Sequence, residues 1–181
     1  MQKEYPVVSS VAGLCVPACL RSILLTKKMD FSIEKIAKDL GIEIPKKYTE
    51  KYPDLKINKQ NIFKQPINEE KYSINNFFKK NGIPFKMKLV YTKDTTKLKE
   101  ILKKHFHKAD IAVCYDFPTS TNKPGKLGHI AIIFKLDKNT LELSHPSNIN
   151  KNIVSYVKLT KAIQTHSKKK MAGIWIFKKD K

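Results

Sequence analysis

The chain has 181 residues and a formal net charge of +20, from 36 basic against 16 acidic residues, with 41% hydrophobic residues. That length and apolar content fit one folded domain and exclude a disordered polyelectrolyte. Of the basic residues only Arg21 is arginine. Bidentate readout of phosphate or guanine by guanidinium is therefore nearly absent, while Lys point charges still suit nonspecific nucleic acid or an anionic surface. An AT-rich coding sequence produces the same scattered Lys without any polyanion partner.

The start of the chain, with Glu4, reads as no cleavable signal, and Val11–Leu25 is interrupted by Cys15, Pro17, Cys19 and Arg21. The longest apolar runs are too short to span a bilayer. Three cysteines (Cys15, Cys19 and Cys114) are too few and of the wrong parity for a disulfide framework. The expectation is a cytoplasmic protein, with signal-less export as the other route.

Taken in chain order, residues 15–27 predict a helix with Pro17 in its first turn, where a missing N–H costs little. Val16, Ala18, Cys19, Leu20, Ile23, Leu24 and Leu25 leave it apolar nearly all round, the mark of a buried central helix. A second helix runs over 32–40, with Ser32 as N-cap and Gly41 as its stop. Residues 42–66 carry Pro45, Pro53 and Pro66 with weak periodicity, and read as a long lid-like or irregular segment inside one domain spanning 1–181.

Further on, 73–81 reads as a helix, 84–90 as a strand, 95–106 as a helix and 109–115 as a strand. Residues 119–127 read as a loop. The run from Gly128 to Phe134 is a buried strand, and Asp137-Lys138-Asn139 turns it into a return strand at 140–143. A helix over 157–166 and a strand over 173–177 close the chain. Helices first, then a predominantly antiparallel sheet, is an α+β order.

Two residues stand out chemically. Cys15 begins the buried helix, where the N-terminal dipole favours a thiolate and the first N–H groups face an incoming oxyanion. His129 opens the buried strand beside Gly128, which permits close approach. Each also has an ordinary role, as a small buried hydrophobe and as a packed strand-end imidazole. Cys114 reads as core, Asp116 as a minor candidate acid, and His105, His107 and His166 as helix-end surface residues.

The stretches Leu14-Cys15-Val16-Pro17-Ala18-Cys19-Leu20, Gly128-His129-Ile130-Ala131-Ile132 and Leu143-Ser144-His145-Pro146 resemble, in residues and order, the bacteriocin-processing, exporter-associated cysteine peptidases and their stand-alone relatives. The resemblance implies a papain-like α+β fold and a cysteine hydrolase, first of all a peptidase acting through an acyl-enzyme on a peptide or protein, with no cofactor. It implies Cys15 as nucleophile, His129 as base and His145 at the position of the orienting acid. Ser9, with Ser10 beside it, stands at the position of the family's oxyanion Gln. The family has Asp where His145 stands, and Gly where Val16 stands. Ser144, Asn148 and Asn150 are nearby alternatives for the orienting role. Two other readings stay open: a binding module that has lost the chemistry and engages a polyanion through its Lys, and a zinc site built from Cys15, Cys19, His129 and His145.

Overall fold

A computed structural model describes residues 2–11, 13–145 and 148–180, with the side chains of residues 145 and 148–151 outside the description. The N-terminal part holds helices α1 (Cys15–Leu25), α2 (Ile33–Asp39) and α3 (Ile74–Lys80). Strand β1 (Phe85–Val90), helix α4 (Thr95–His105) and strand β2 (Asp110–Asp116) follow. Then come the short helix α5 (Phe117–Thr121), strands β3 (Gly128–Leu136), β4 (Thr140–His145) and β5 (Asn148–Ser155), helix α6 (Tyr156–His166) and strand β6 (Gly173–Lys179). Helix starts follow side-chain capping: Ser32, Ser73, Asp94 and Ser155 each accept the backbone N–H three residues on.

The strands form one sheet in the order β1-β6-β2-β3-β4-β5, and each neighbouring pair is antiparallel. Its two faces carry separate cores. Ala112, Cys114, Ile130, Ile132, Trp175 and Phe177 face the layer that holds α1, α2 and α3. Ile111, Val113, Tyr115, Ala131, Ile133, Ile174 and Ile176 pack against α4 and α6. Central strands covered on both faces need apolar residues at every position, which is why β2 and the middle of β3 read as unbroken apolar runs. Helix α1 is buried on most sides, through Val16, Pro17, Ala18, Cys19, Leu20, Ser22, Ile23 and Leu24.

Two elements differ from the expectation. Residues 119–127, expected as a loop, are preceded and partly replaced by α5. Asp116 caps it, with Pro118 in its first turn, and five residues are too few to display a helical period. Strand β5 lies where no strand was expected. Three of its eight residues are Asn, a poor strand former, and it is the last strand in the sheet order.

Residues 42–66 contain one short 3-10 turn, Lys46–Tyr48, and two isolated bridges, Glu43 with Lys64 and Ile44 with Ile57. Ile44, Tyr52 and Leu55 of this stretch are buried in the first core. Among the described residues no helix is long and apolar enough to cross a membrane.

Candidate active site

Cys15 is the first residue of α1, directly after the fully buried Leu14. Gly13 lies in the turn before it at φ +93°, a left-handed conformation that favours glycine. The Phe63 ring fills the space where a side chain at Gly13 would stand, 2.4 Å from the position of a Cβ. Gln65 completes this grip, donating from Nε2 to the Gly13 carbonyl at 2.6 Å. The long segment therefore packs on the turn that presents Cys15.

Cys15 and His129 line one cavity of about 450 Å³. Its wall also includes Phe63, Gln65 and Asn68 from the long segment, Cys114 from β2, Gly128 and Ile130 from β3, and His166 with Lys169, Lys170 and Met171 from the end of α6 and beyond. Cys15 is half-buried, whereas Cys19 and Cys114 are buried. Burial pushes the Cys15 thiol up, although the backbone N–H groups of Ile130, Val16 and Cys15 itself favour the thiolate. Burial also raises Cys19 and Cys114. The Cys19 thiol donates weakly to the Ile130 carbonyl, at 3.7 Å, tying α1 to β3.

His129 stands directly across from Tyr115 in the β2–β3 ladder. Cross-strand partners share a face, and the two rings meet edge-on with centroids 5.9 Å apart. Phe117 approaches the same ring at 5.4 Å. Tyr115 belongs to the core beneath α6, while Cys114 and Ile130 belong to the core around α1. His129 is in the wall of the Cys15 cavity, while its ring lies on the Tyr115 face of the sheet against aromatics of the other layer, not on the Cys114 and Ile130 face that meets α1.

His166 is a correction to the surface reading. It is half-buried, lines the cavity, and lies so close over Gly128 that a Cβ there would stand 2.2 Å from its Cε1 and 2.8 Å from its Nε2. Burial and Lys170 lower its pKa, against an opposing pull from Asp116. Asp116 is 1% exposed. Its Oδ1 accepts from the Leu127 N–H at 2.8 Å, and its Oδ2 accepts from the Thr119 N–H and hydroxyl at 3.0 and 2.6 Å. Burial alone would raise its pKa, but these hydrogen bonds and His166 hold it below the usual carboxylate value. Those bonds occupy Asp116 as the clasp of α5 and the following loop.

Ser9 is exposed. Ser10 Oγ is buried without a hydrogen-bond partner among the described residues, and neither Ser is in the cavity wall. His145 is the last residue of β4, and its side chain lies outside the described residues, as do those of Asn148 and Asn150. Among the described residues no three His, Cys, Asp or Glu side chains come together as metal ligands.

Sequence reasoning missed Gln65, Asn68, His166 and the Lys169–Met171 wall. Gln65 carries no local signal, because its contact with Gly13 is made only by the fold. His166 was legible as a helix end but not as the residue that closes over Gly128.

No family model matches the chain, and no curated protein matches it in sequence. Among solved structures, the chain is similar to a crystal structure described as a C39-like peptidase from Bacillus anthracis. The TM-score is 0.58 at 13% identity, covering 99% of this chain and 100% of that one. An identity that low carries the fold and not the chemistry. The chain therefore has the papain-like α+β fold of a C39-like peptidase, with N-terminal helices packed on a mostly antiparallel sheet.

Proposed function

We propose that this protein is a cysteine hydrolase, first of all a peptidase related to the exporter-associated processing enzymes, with Cys15 as nucleophile and His129 as general base. The observation that carries the reading is a partly exposed cysteine at the first residue of the central buried helix, sharing one cavity with a strand-opening histidine on a papain-like fold.

In this reading the Cys15 thiol gives up its proton and its sulfur acts as a thiolate nucleophile. His129 accepts that proton as the sulfur adds to a substrate carbonyl carbon. The carbonyl electron pair moves onto oxygen, giving a tetrahedral oxyanion near the first N–H groups of α1. Collapse expels the amine, which takes the proton from the imidazolium and leaves a thioester on Cys15. Water then adds with His129 as base, the acid departs, and the thiol is restored. His145 occupies the orienting position in this reading. A histidine at that position brings no negative charge, unlike the family's Asp.

The test is alkylation by iodoacetamide. Cys15 is expected to label much faster than Cys19 and Cys114, and His129→Ala to remove that advantage. Equal, slow labelling of all three would end the enzyme reading.

A second reading is a papain-like binding module without chemistry, engaging a polyanion through its Lys-rich surface. It is favoured by the raised Cys15 pKa and by the packing of the His129 ring against Tyr115 and Phe117. Retention on heparin with unreactive Cys15 would support it.

A further inference from the structure

Addition to a carbonyl needs more than a nucleophile and a base. Charge collects on the carbonyl oxygen, and preorganised N–H donors aimed at that oxygen are usually the largest single contribution to rate. The start of α1 offers backbone N–H groups on one side. Neither Ser9 nor Ser10 is in the cavity wall to offer a side-chain donor.

Gln65 is. We propose that Gln65, delivered by the long segment 42–66, is the side-chain oxyanion donor of the Cys15 site. This inference rests on the hydrolase reading above and adds to it a residue from a distant part of the chain.

The geometry supports a fixed donor. A carbonyl only accepts, so the amide group facing Gly13 O is the nitrogen, and one of its two hydrogens is used in that 2.6 Å bond. The other remains for the cavity that Gln65 lines with Cys15. The tether is two residues from the nucleophile, so amide and thiol are referenced to the same turn.

The backbone that carries Gln65 is held as well. Lys64 N–H donates to the Glu43 carbonyl at 3.1 Å and Glu43 N–H returns to the Lys64 carbonyl at 3.0 Å. Pro66 and Ile67, the next two residues, are buried. Phe63, two residues earlier, is locked over Gly13. The other amide in the wall, Asn68, is exposed. A donor already fixed costs no reorganisation when the oxyanion forms, which is what separates Gln65 from a surface amide.

The experiment compares two reactions of the full-length protein at the same thiol. Acylation by a p-nitrophenyl ester passes through an oxyanion, whereas alkylation by iodoacetamide displaces iodide at a CH2 carbon and does not. Gln65→Met keeps the chain length and removes both N–H donors. It should slow acylation of Cys15 by about 10²–10³-fold, mostly in kcat, while alkylation of Cys15 changes less than about twofold. Gln65→Ala, which opens the wall instead of lining it with an apolar chain, should give the same split. Acylation that survives in both variants would overturn the proposal. So would acylation and alkylation falling together, which would make Gln65 a structural tether for the Gly13 turn. A wild-type protein that is alkylated at Cys15 but never acylated would overturn the hydrolase reading and this proposal with it, an outcome seen before any variant is made.

Discussion

The contact between Gly128 and His166 can be tested by adding one methyl group. Gly128 has no positive φ that would penalise a side chain by itself, so Gly128→Ala acts through space alone. Its Cβ would lie 2.2 Å from His166 Cε1 and 2.8 Å from Nε2, far inside van der Waals contact. The imidazole must swing away or α6 must shift at its C-terminal end. Overpacking of this kind costs about 1–3 kcal/mol. For a chain this long each kcal/mol corresponds to a fall of about 2–4 °C in Tm. The informative arm is the double variant. His166→Ala removes the ring that clashes, so Gly128→Ala in that background should cost close to nothing, leaving a coupling energy of about 1–3 kcal/mol in a double-mutant cycle. Urea unfolding with a common m value gives each number. Equal costs with and without His166 would refute the packing of His166 over Gly128, and with it the placement of that imidazole in the cavity wall.

Other outcomes follow from the same structure. Asp116→Ala removes the acceptor of the Thr119 and Leu127 N–H groups and should cost about 1–3 kcal/mol in the same unfolding assay. The folded-state pKa of Asp116 is depressed, so its contribution is present above the unfolded value of about 3.9 and is lost as pH falls through the folded value. Asp116→Asn should accordingly flatten the acid limb of a stability–pH curve. His166 also has a depressed folded pKa, so its neutral form favours the folded state above about pH 6.5, and stability should decline as pH falls below that, less so in His166→Gln. Alkylation of Cys15 should accelerate with pH beyond the ordinary thiol range, with no reactive plateau in mild acid, because burial raises its pKa. Gly13→Ala should cost at least about 1–2 kcal/mol for the left-handed backbone, with a further steric cost against Phe63.

Much of the fold was legible because its signals are local. Ser32 and Ser73 cap helices through their own third-following N–H groups, and the unbroken apolar run after His129 announces a strand covered on both faces. Strand β5 was not legible, since an Asn-rich edge is specified by its partner β4 and not by its own composition. The placement of Cys15 at a helix start could be read from Pro17 and the apolar residues after it. The rest of the cavity could not. Gln65 and Phe63 meet Gly13 across some fifty positions, and His166 reaches Gly128 from the far end of α6. The alternation of β3 does locate His129 on the Tyr115 face, but only once the β2–β3 register is known.

The most direct test is the intact mass of the protein after mixing with a p-nitrophenyl ester of a short peptide acid. The hydrolase account expects one acyl group, mapped to Cys15, that forms rapidly, turns over in water, and is lost in Cys15→Ala and strongly slowed in His129→Ala. No acyl adduct, or one that forms equally on Cys114 and is indifferent to His129, would contradict it.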